Sequence, residues 1–114
     1  MIIKQAEQEW LQQLEAVILK EMSNIESKNA AIAKKLNITE RTLYRKVYKY
    51  TGLTPYKYIL NIRLKLAFQY LAEGNFLTVK EVAAEVGFKK TEYFSGLFKA
   101  KYGRNHIAVL RNKG

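Results

Sequence analysis

The chain has 114 residues, 48% of them hydrophobic, and a formal net charge of +10. That length suits one domain, or two small lobes sharing a helix, with apolar mass enough for a core. The absence of cysteine excludes a disulfide framework and thiolate metal sites and fits a reducing compartment, and one histidine, His106, leaves catalysis or zinc binding little to work with. The N-terminus turns polar too early for a signal peptide, and no apolar run approaches the roughly 18 residues that span a bilayer. The charge is uneven: residues 1–29 carry net −2, residues 30–73 net +7 and residues 74–114 net +5. Basic charge confined to the segments with helical patterning points to a polyanion surface, with a well-solvated face as the plain alternative.

Residues 1–5 are expected to be disordered. Ala6 to Met22 reads as an amphipathic helix with Trp10, Leu11, Leu14, Val17, Ile18 and Met22 on one stripe. Glu7 and Glu9 lie in its first turn, where negative charge suits the helix dipole. Its acidic outer side fits packing behind the next unit; a dimerising coiled coil is the sharper alternative, with few turns to support it. Ser23 to Asn29 is turn-like, with Ser27 or Asn29 capping a short helix from Ala30 to Leu36. Asn37-Ile38 breaks it, and Thr39 caps a new helix that ends at Gly52. Leu43, Val47 and Tyr50 face inward with Tyr48 flanking, which leaves Arg41, Thr42, Tyr44, Arg45, Lys46 and Lys49 outside.

A short helix, a tight turn and a second helix opening with polar and basic residues is the helix-turn-helix pattern. The second helix fits a major groove roughly 12 Å wide. Arg41 and Arg45 suit guanine O6/N7, the Thr42 hydroxyl donates or accepts, and Tyr44 offers an aromatic surface to a thymine methyl. Thr39, Lys46 and Lys49 suit phosphates. The competing reading is an ordinary helical hairpin with a charged solvent face.

Thr54 to Gly74 predicts one long helix. Thr54 caps it, Pro55 sits where a missing N–H costs nothing, and Gly74 supplies a left-handed stop. Ile59, Ile62, Leu66 and Tyr70 form one apolar stripe, and Leu60, Leu64, Ala67 and Leu71 a neighbouring one. This rod, roughly 27 Å long at 1.5 Å per residue, reads as a spacer between two copies of one device. After residues 74–77 the pattern repeats: Thr78 caps a short helix, Gly87-Phe88 makes the turn, and a second helix ends at Gly103. Ile32-Ala33 aligns with Val82-Ala83 and Leu36 with Val86; with one extra residue in the second turn, Leu43 aligns with Phe94, Val47 with Phe98 and Gly52 with Gly103. In the second copy Thr91, Glu92 and Ser95 are candidate base contacts, Glu92 preferring a cytosine amino group. Lys89, Lys90 and Lys99 are candidate phosphate contacts. Ile107, Val109 and Leu110 are enough for a short closing helix. The expected divisions are 6–53 for the first lobe with its packing helix, 54–74 for the spacer and 75–114 for the second lobe.

Taken together, Gly52-x-Thr54-Pro55, Tyr58, Arg63-Leu64 and Ala67, the IAxxL and LYRKV segments of the first unit, and the VAxxVGF and YFSxLFKxxYG segments between Val82 and Gly103 resemble the DNA-binding domain of the AraC/XylS family of bacterial transcription regulators. The resemblance runs from about Trp10 to Leu110. It implies an all-α, homeodomain-like fold of about seven helices: two helix-turn-helix lobes joined by a long spacer, both recognition helices facing one side of DNA, about one helical turn or roughly 34 Å apart. Two positions depart from the family. Gly96 stands opposite Arg45 where the family usually has Arg or Lys, and His106 stands where it usually has proline. The first recognition helix, about 39–50, is therefore expected to carry most base readout, and the second, about 90–102, mainly backbone contacts and weaker readout.

Tyr48, Tyr50, Tyr58, Tyr70 and Tyr102 lie on or near apolar stripes and read as core or edge packing, and His106 as a surface or capping residue. No Ser/His/Asp set, carboxylate pair or phosphate-loop glycine pattern occurs, so no enzyme, cofactor, metal or small-molecule site is expected. The function expected is sequence-specific double-stranded DNA binding by the output domain of a transcription regulator. Its expected partners are RNA polymerase and a sensor or dimerisation domain outside this chain. The expected location is the cytoplasm, at the nucleoid, with the full-length protein tethered to a membrane sensor in one version, as in a hybrid two-component regulator. The rival readings are an adaptor that holds RNA polymerase and a nonspecific DNA-architecture protein.

Overall fold

The computed structural model describes residues 4–21, 29–74 and 78–103. These residues form six α-helices and no strand: α1 (Gln5–Lys20), α2 (Asn29–Lys35), α3 (Glu40–Thr51), α4 (Pro55–Glu73), α5 (Val79–Glu85) and α6 (Thr91–Tyr102). The chain divides into two compact units, Met1–Ile62 and Arg63–Gly114, with the boundary inside α4. The expected closing helix falls within 104–114, outside the described residues, as do His106 and the cap candidate Ser27; the other candidate, Asn29, is the first residue of α2.

In the first unit α1 packs on α2 and α2 on α3. Leu14 and Ile18 of α1, Ile32 and Ala33 of α2, Leu43 and Val47 of α3 and Ile62 of α4 are buried. Of the α1 stripe, Trp10, Leu11 and Val17 are half-buried. The helix starts at Gln5, one residue earlier than its apolar pattern, because the Gln8 N–H bonds back to the Lys4 carbonyl at 3.0 Å.

The turn after α2 is a Schellman motif. Ile38 N–H donates to the Ala33 carbonyl (3.0 Å) and Asn37 N–H to that of Lys34 (3.1 Å), with Asn37 left-handed at φ 59°. Thr39 then starts α3, its hydroxyl accepting from Thr42 N–H at 3.1 Å. Gly52 ends α3 at φ 76°, its N–H on the Tyr48 carbonyl (2.8 Å). Thr51 ties that end to the next helix: its hydroxyl donates to the Val47 carbonyl (2.7 Å) and accepts from Leu53 N–H (3.0 Å). Thr54 accepts from Lys57 N–H at 3.3 Å, beside Pro55 at the first position of α4.

The second unit repeats these local devices with different side chains. Thr78 caps α5, its hydroxyl accepting from Glu81 N–H (3.1 Å) and donating to the Glu81 carboxylate (3.0 Å). The turn after α5 has the same two bonds, Phe88 N–H to Ala83 (2.8 Å) and Gly87 N–H to Ala84 (3.1 Å), with Gly87 at φ 92°. Where the first core is aliphatic, this one is aromatic. Phe94 and Phe98 stand where Leu43 and Val47 stand in the first unit, and both are fully buried. Their centroids are 5.7 Å apart; Phe88 lies 5.3 Å from Phe94, and Phe68 and Tyr102 lie 6.0 and 4.8 Å from Phe98. These separations are the ones at which tilted and offset rings attract. Leu64, Ala67 and Leu71 of α4 complete the core, with Val82, Ala83 and Val86.

Candidate nucleic-acid interface

At 100° per residue, the buried pair Leu43 and Val47 leaves Arg41, Tyr44, Arg45, Tyr48 and Lys49 on the outward side of α3. All five are exposed and together line an open depression along the helix. Three are cations and none is a carboxylate. Thr39 is exposed and occupied as the cap, donating its hydroxyl hydrogen to the half-buried Thr42 hydroxyl at 3.0 Å.

Two side chains sit where sequence spacing did not put them. Tyr48, read as core or edge packing, is 56% exposed and stacks on Tyr44, itself 51% exposed, with centroids 6.3 Å apart and ring planes 7° from parallel. The i, i+4 spacing of two rings was the available signal for this pair. Lys46, expected outside with the phosphate-contacting lysines, is half-buried, and its Nζ lies 5.1 Å from the centre of the Trp10 ring of α1. Trp10 also meets Tyr50 edge-on at 5.7 Å. Lys46 therefore belongs to the flank of α3 that packs on α1.

On α6 the positions aligned with the five outward residues of α3 are Glu92, Ser95, Gly96, Lys99 and Ala100. Glu92, Gly96, Lys99 and Ala100 are exposed, whereas Ser95 and Thr91 are half-buried. Lys89 and Lys90 are exposed just ahead of the helix, whose N-terminus carries no side-chain cap. Gly96 is an ordinary helical residue, and a Cβ built on it meets nothing within 4 Å. Neither backbone conformation nor packing requires glycine there. A face of three cations and two rings on α3 thus corresponds to one carboxylate, one cation and three small residues on α6.

Burial, with the nearby Glu15 carboxylate second, pushes the Tyr58 hydroxyl above its ordinary pKa; burial alone does the same to Tyr102. Both lie off the outward faces. Among the described residues no group of three or more His, Cys, Asp or Glu could hold a metal ion, and no helix is long and apolar enough to cross a membrane.

A family profile described as a helix-turn-helix domain matches residues 32–111, which takes in both copies of the motif. The chain belongs to the AraC-type helix-turn-helix DNA-binding domains. This AraC-type chain is thus a DNA-binding domain of transcription regulators, a family that is not enzymatic. It is 31% identical over 100 residues to histidine kinase P4 of Formosa agariphila, aligning 88% of this chain with 7% of that protein. It is 40% identical over 84 residues to the uncharacterised HTH-type transcriptional regulator YidL of Escherichia coli, aligning 73% of this chain with 28% of that one. The chain thus spans under a third of the length of these relatives. The AraC-type fold is shared with the C-terminal domain of AraT, a response regulator from Geobacillus stearothermophilus (25% identity, TM-score 0.75, 89% of this chain and 83% of that one). It is shared too with the DNA-binding domain of AdpA, solved with a target DNA (24% identity, TM-score 0.73, 90% of each chain).

Proposed function

We propose that this AraC-type domain reads its operator chiefly through α3, while α6 contributes mainly backbone contacts and weaker readout. The observation that carries this is the contrast between the two outward faces. Arg41 and Arg45 have the reach and the paired donors to contact guanine in the major groove. Their counterparts on α6 are Glu92 and Gly96. Tyr44 and Thr42 complete the base-reading set on α3, with Thr39 and Lys49 at phosphates and Lys46 bound to α1. On α6, Thr91, Glu92 and Ser95 are the remaining base-reading candidates, and Lys89, Lys90 and Lys99 face phosphates. The operator has two short half-sites about one helical turn apart.

On the same reading the domain is the output module of a longer regulator, and it works at the nucleoid beside RNA polymerase. A histidine kinase among the relatives and a response-regulator domain among the similar structures support a two-component signalling context.

The test is selection of binding sites from a random duplex pool at about 150 mM salt, where charge-driven binding is weakened. Two half-sites, one rich in sequence information and one poor, are expected. Arg45→Ala should then weaken binding to the selected site by about 1–3 kcal/mol while sparing unrelated duplex. An enriched pool without a motif would replace this reading with charge-driven binding, and equal information in both half-sites would remove the asymmetry.

A further inference from the structure

We propose that Tyr44 and Tyr48 act as a two-ring thymine reader, with Tyr48 as a specificity determinant that joins the arginines of α3. This rests on α3 being the DNA-reading helix.

A single exposed tyrosine on a helix is ordinary. Here two rings are each about half exposed and lie nearly parallel, 7° apart in plane and 6.3 Å between centroids. Each limits the rotation of the other, so the pair loses little side-chain freedom on docking. The rings stand between Arg41, Arg45 and Lys49, in a surface that draws a polyanion and would repel a basic partner. DNA is therefore the occupant that matches both the charge and the apolar insert. In a major groove the one apolar group at a base edge is the thymine C5 methyl. Tyr48 lies four residues beyond Tyr44, about 6 Å along the helix. That is comparable with two base steps of about 3.4 Å each, so the two rings can meet different thymines. On α6 the aligned positions are Ser95 and Lys99, neither of which offers a ring. The exposed Tyr93 of α6 aligns with Thr42 and meets Phe88 edge-on at 6.2 Å, so the stacked pair, and the thymine requirement with it, belongs to the half-site bound by α3.

Uracil scanning of the selected duplex isolates the methyl group. Replacing one thymine at a time by deoxyuridine removes the C5 methyl and leaves base pairing intact. The wild-type domain should lose about fourfold in affinity at each of two thymines of the information-rich half-site, the ratio that burial of one methylene-sized group gives. In Tyr48→Ala the penalty should vanish at one of these positions, and in Tyr44→Ala at the other. The helical circular dichroism should not change in either variant, which separates a lost contact from a lost fold. Tyr48→Phe should retain the penalty, because the ring and not the hydroxyl meets the methyl. Uracil tolerated everywhere, a penalty that survives both alanine variants, or a penalty lost in Tyr48→Phe would each overturn the inference and leave the arginine-based reading standing. Failure to select any motif would instead overturn the DNA-reading assignment of α3, and this inference with it.

Discussion

Asn37 and Gly87 occupy the same left-handed corner in the two turns, at φ 59° and 92°, and each donates its N–H to a carbonyl three residues back. The backbone device is identical, but the side chains that permit it differ. Asparagine tolerates this conformation because its short amide compensates locally, and glycine because it has no Cβ. Asn37→Ala should lower stability by about 1 kcal/mol, whereas Asn37→Gly should fall within a few tenths of wild type. Gly87→Ala should cost about 1–2 kcal/mol, since φ 92° lies further from what an L-residue accepts. Urea unfolding of the three variants measures this; an unaffected Asn37→Ala protein would mean the corner is not held as described.

The position of Lys46 over the Trp10 ring separates it from the other lysine of α3, Lys49, which is exposed on the outward face. Neutralising Lys49 as glutamine should weaken binding evenly across sequences and reduce the salt slope by about 1. Lys46→Gln should change the slope by less and instead cost roughly 0.5–1 kcal/mol of stability, the size of a partly exposed cation–π contact. Salt titrations of affinity beside thermal melts decide it; equal slope changes would return Lys46 to the phosphate-contacting set.

Gly96 sits in an unstrained helix with open space around it. Gly96→Ala should stabilise the domain by about 1 kcal/mol through helix propensity alone. Gly96→Arg should stabilise to a similar extent and add information to the poor half-site in a repeated site selection. A destabilised alanine variant would show that the glycine is needed for packing after all.

Raised phenol pKa values give a pH signature. For Tyr58 and Tyr102 the folded value lies above the ordinary phenol value of about 10, so the folded state holds its protons longer than the unfolded chain. Their contribution is fully present below about pH 10 and is lost as pH rises through the folded values. Tyr58→Phe should flatten the alkaline fall in stability relative to wild type; circular dichroism melts between pH 8 and about 11 read the difference. An unchanged alkaline slope would mean that other groups, the lysines first, control it.

Helix ends were legible because they are local. Thr39, Gly52, Thr78 and Gly103 act within four residues of themselves, so spacing alone located them. The core pairs Leu43/Val47 and Phe94/Phe98 followed from helical period in the same way. Lys46 was not legible, because its position depends on Trp10, which is remote in sequence and meets it only after α1 packs. Tyr48 failed for a subtler reason. It lies at the margin of the apolar stripe, where a ring can turn inward or stack on Tyr44, and helical period does not distinguish the two. The missing side chain at Gly96 was plain in the sequence; the open space around it was not, since that depends on what the fold brings near.

Trp10 is the only tryptophan in the chain, and it lies in the first unit with Tyr50 and Lys46 against its ring. Its emission therefore watches the packing of α1 on α3 without any label, while the second unit, with no indole, is silent. Helical ellipticity counts both units. If the two signals are lost together on heating, the two units melt as one cooperative body; if fluorescence moves first, the first unit loosens while the aromatic core of the other persists. One native fluorophore thus converts an ordinary melting curve into a measure of how independently the two units fold.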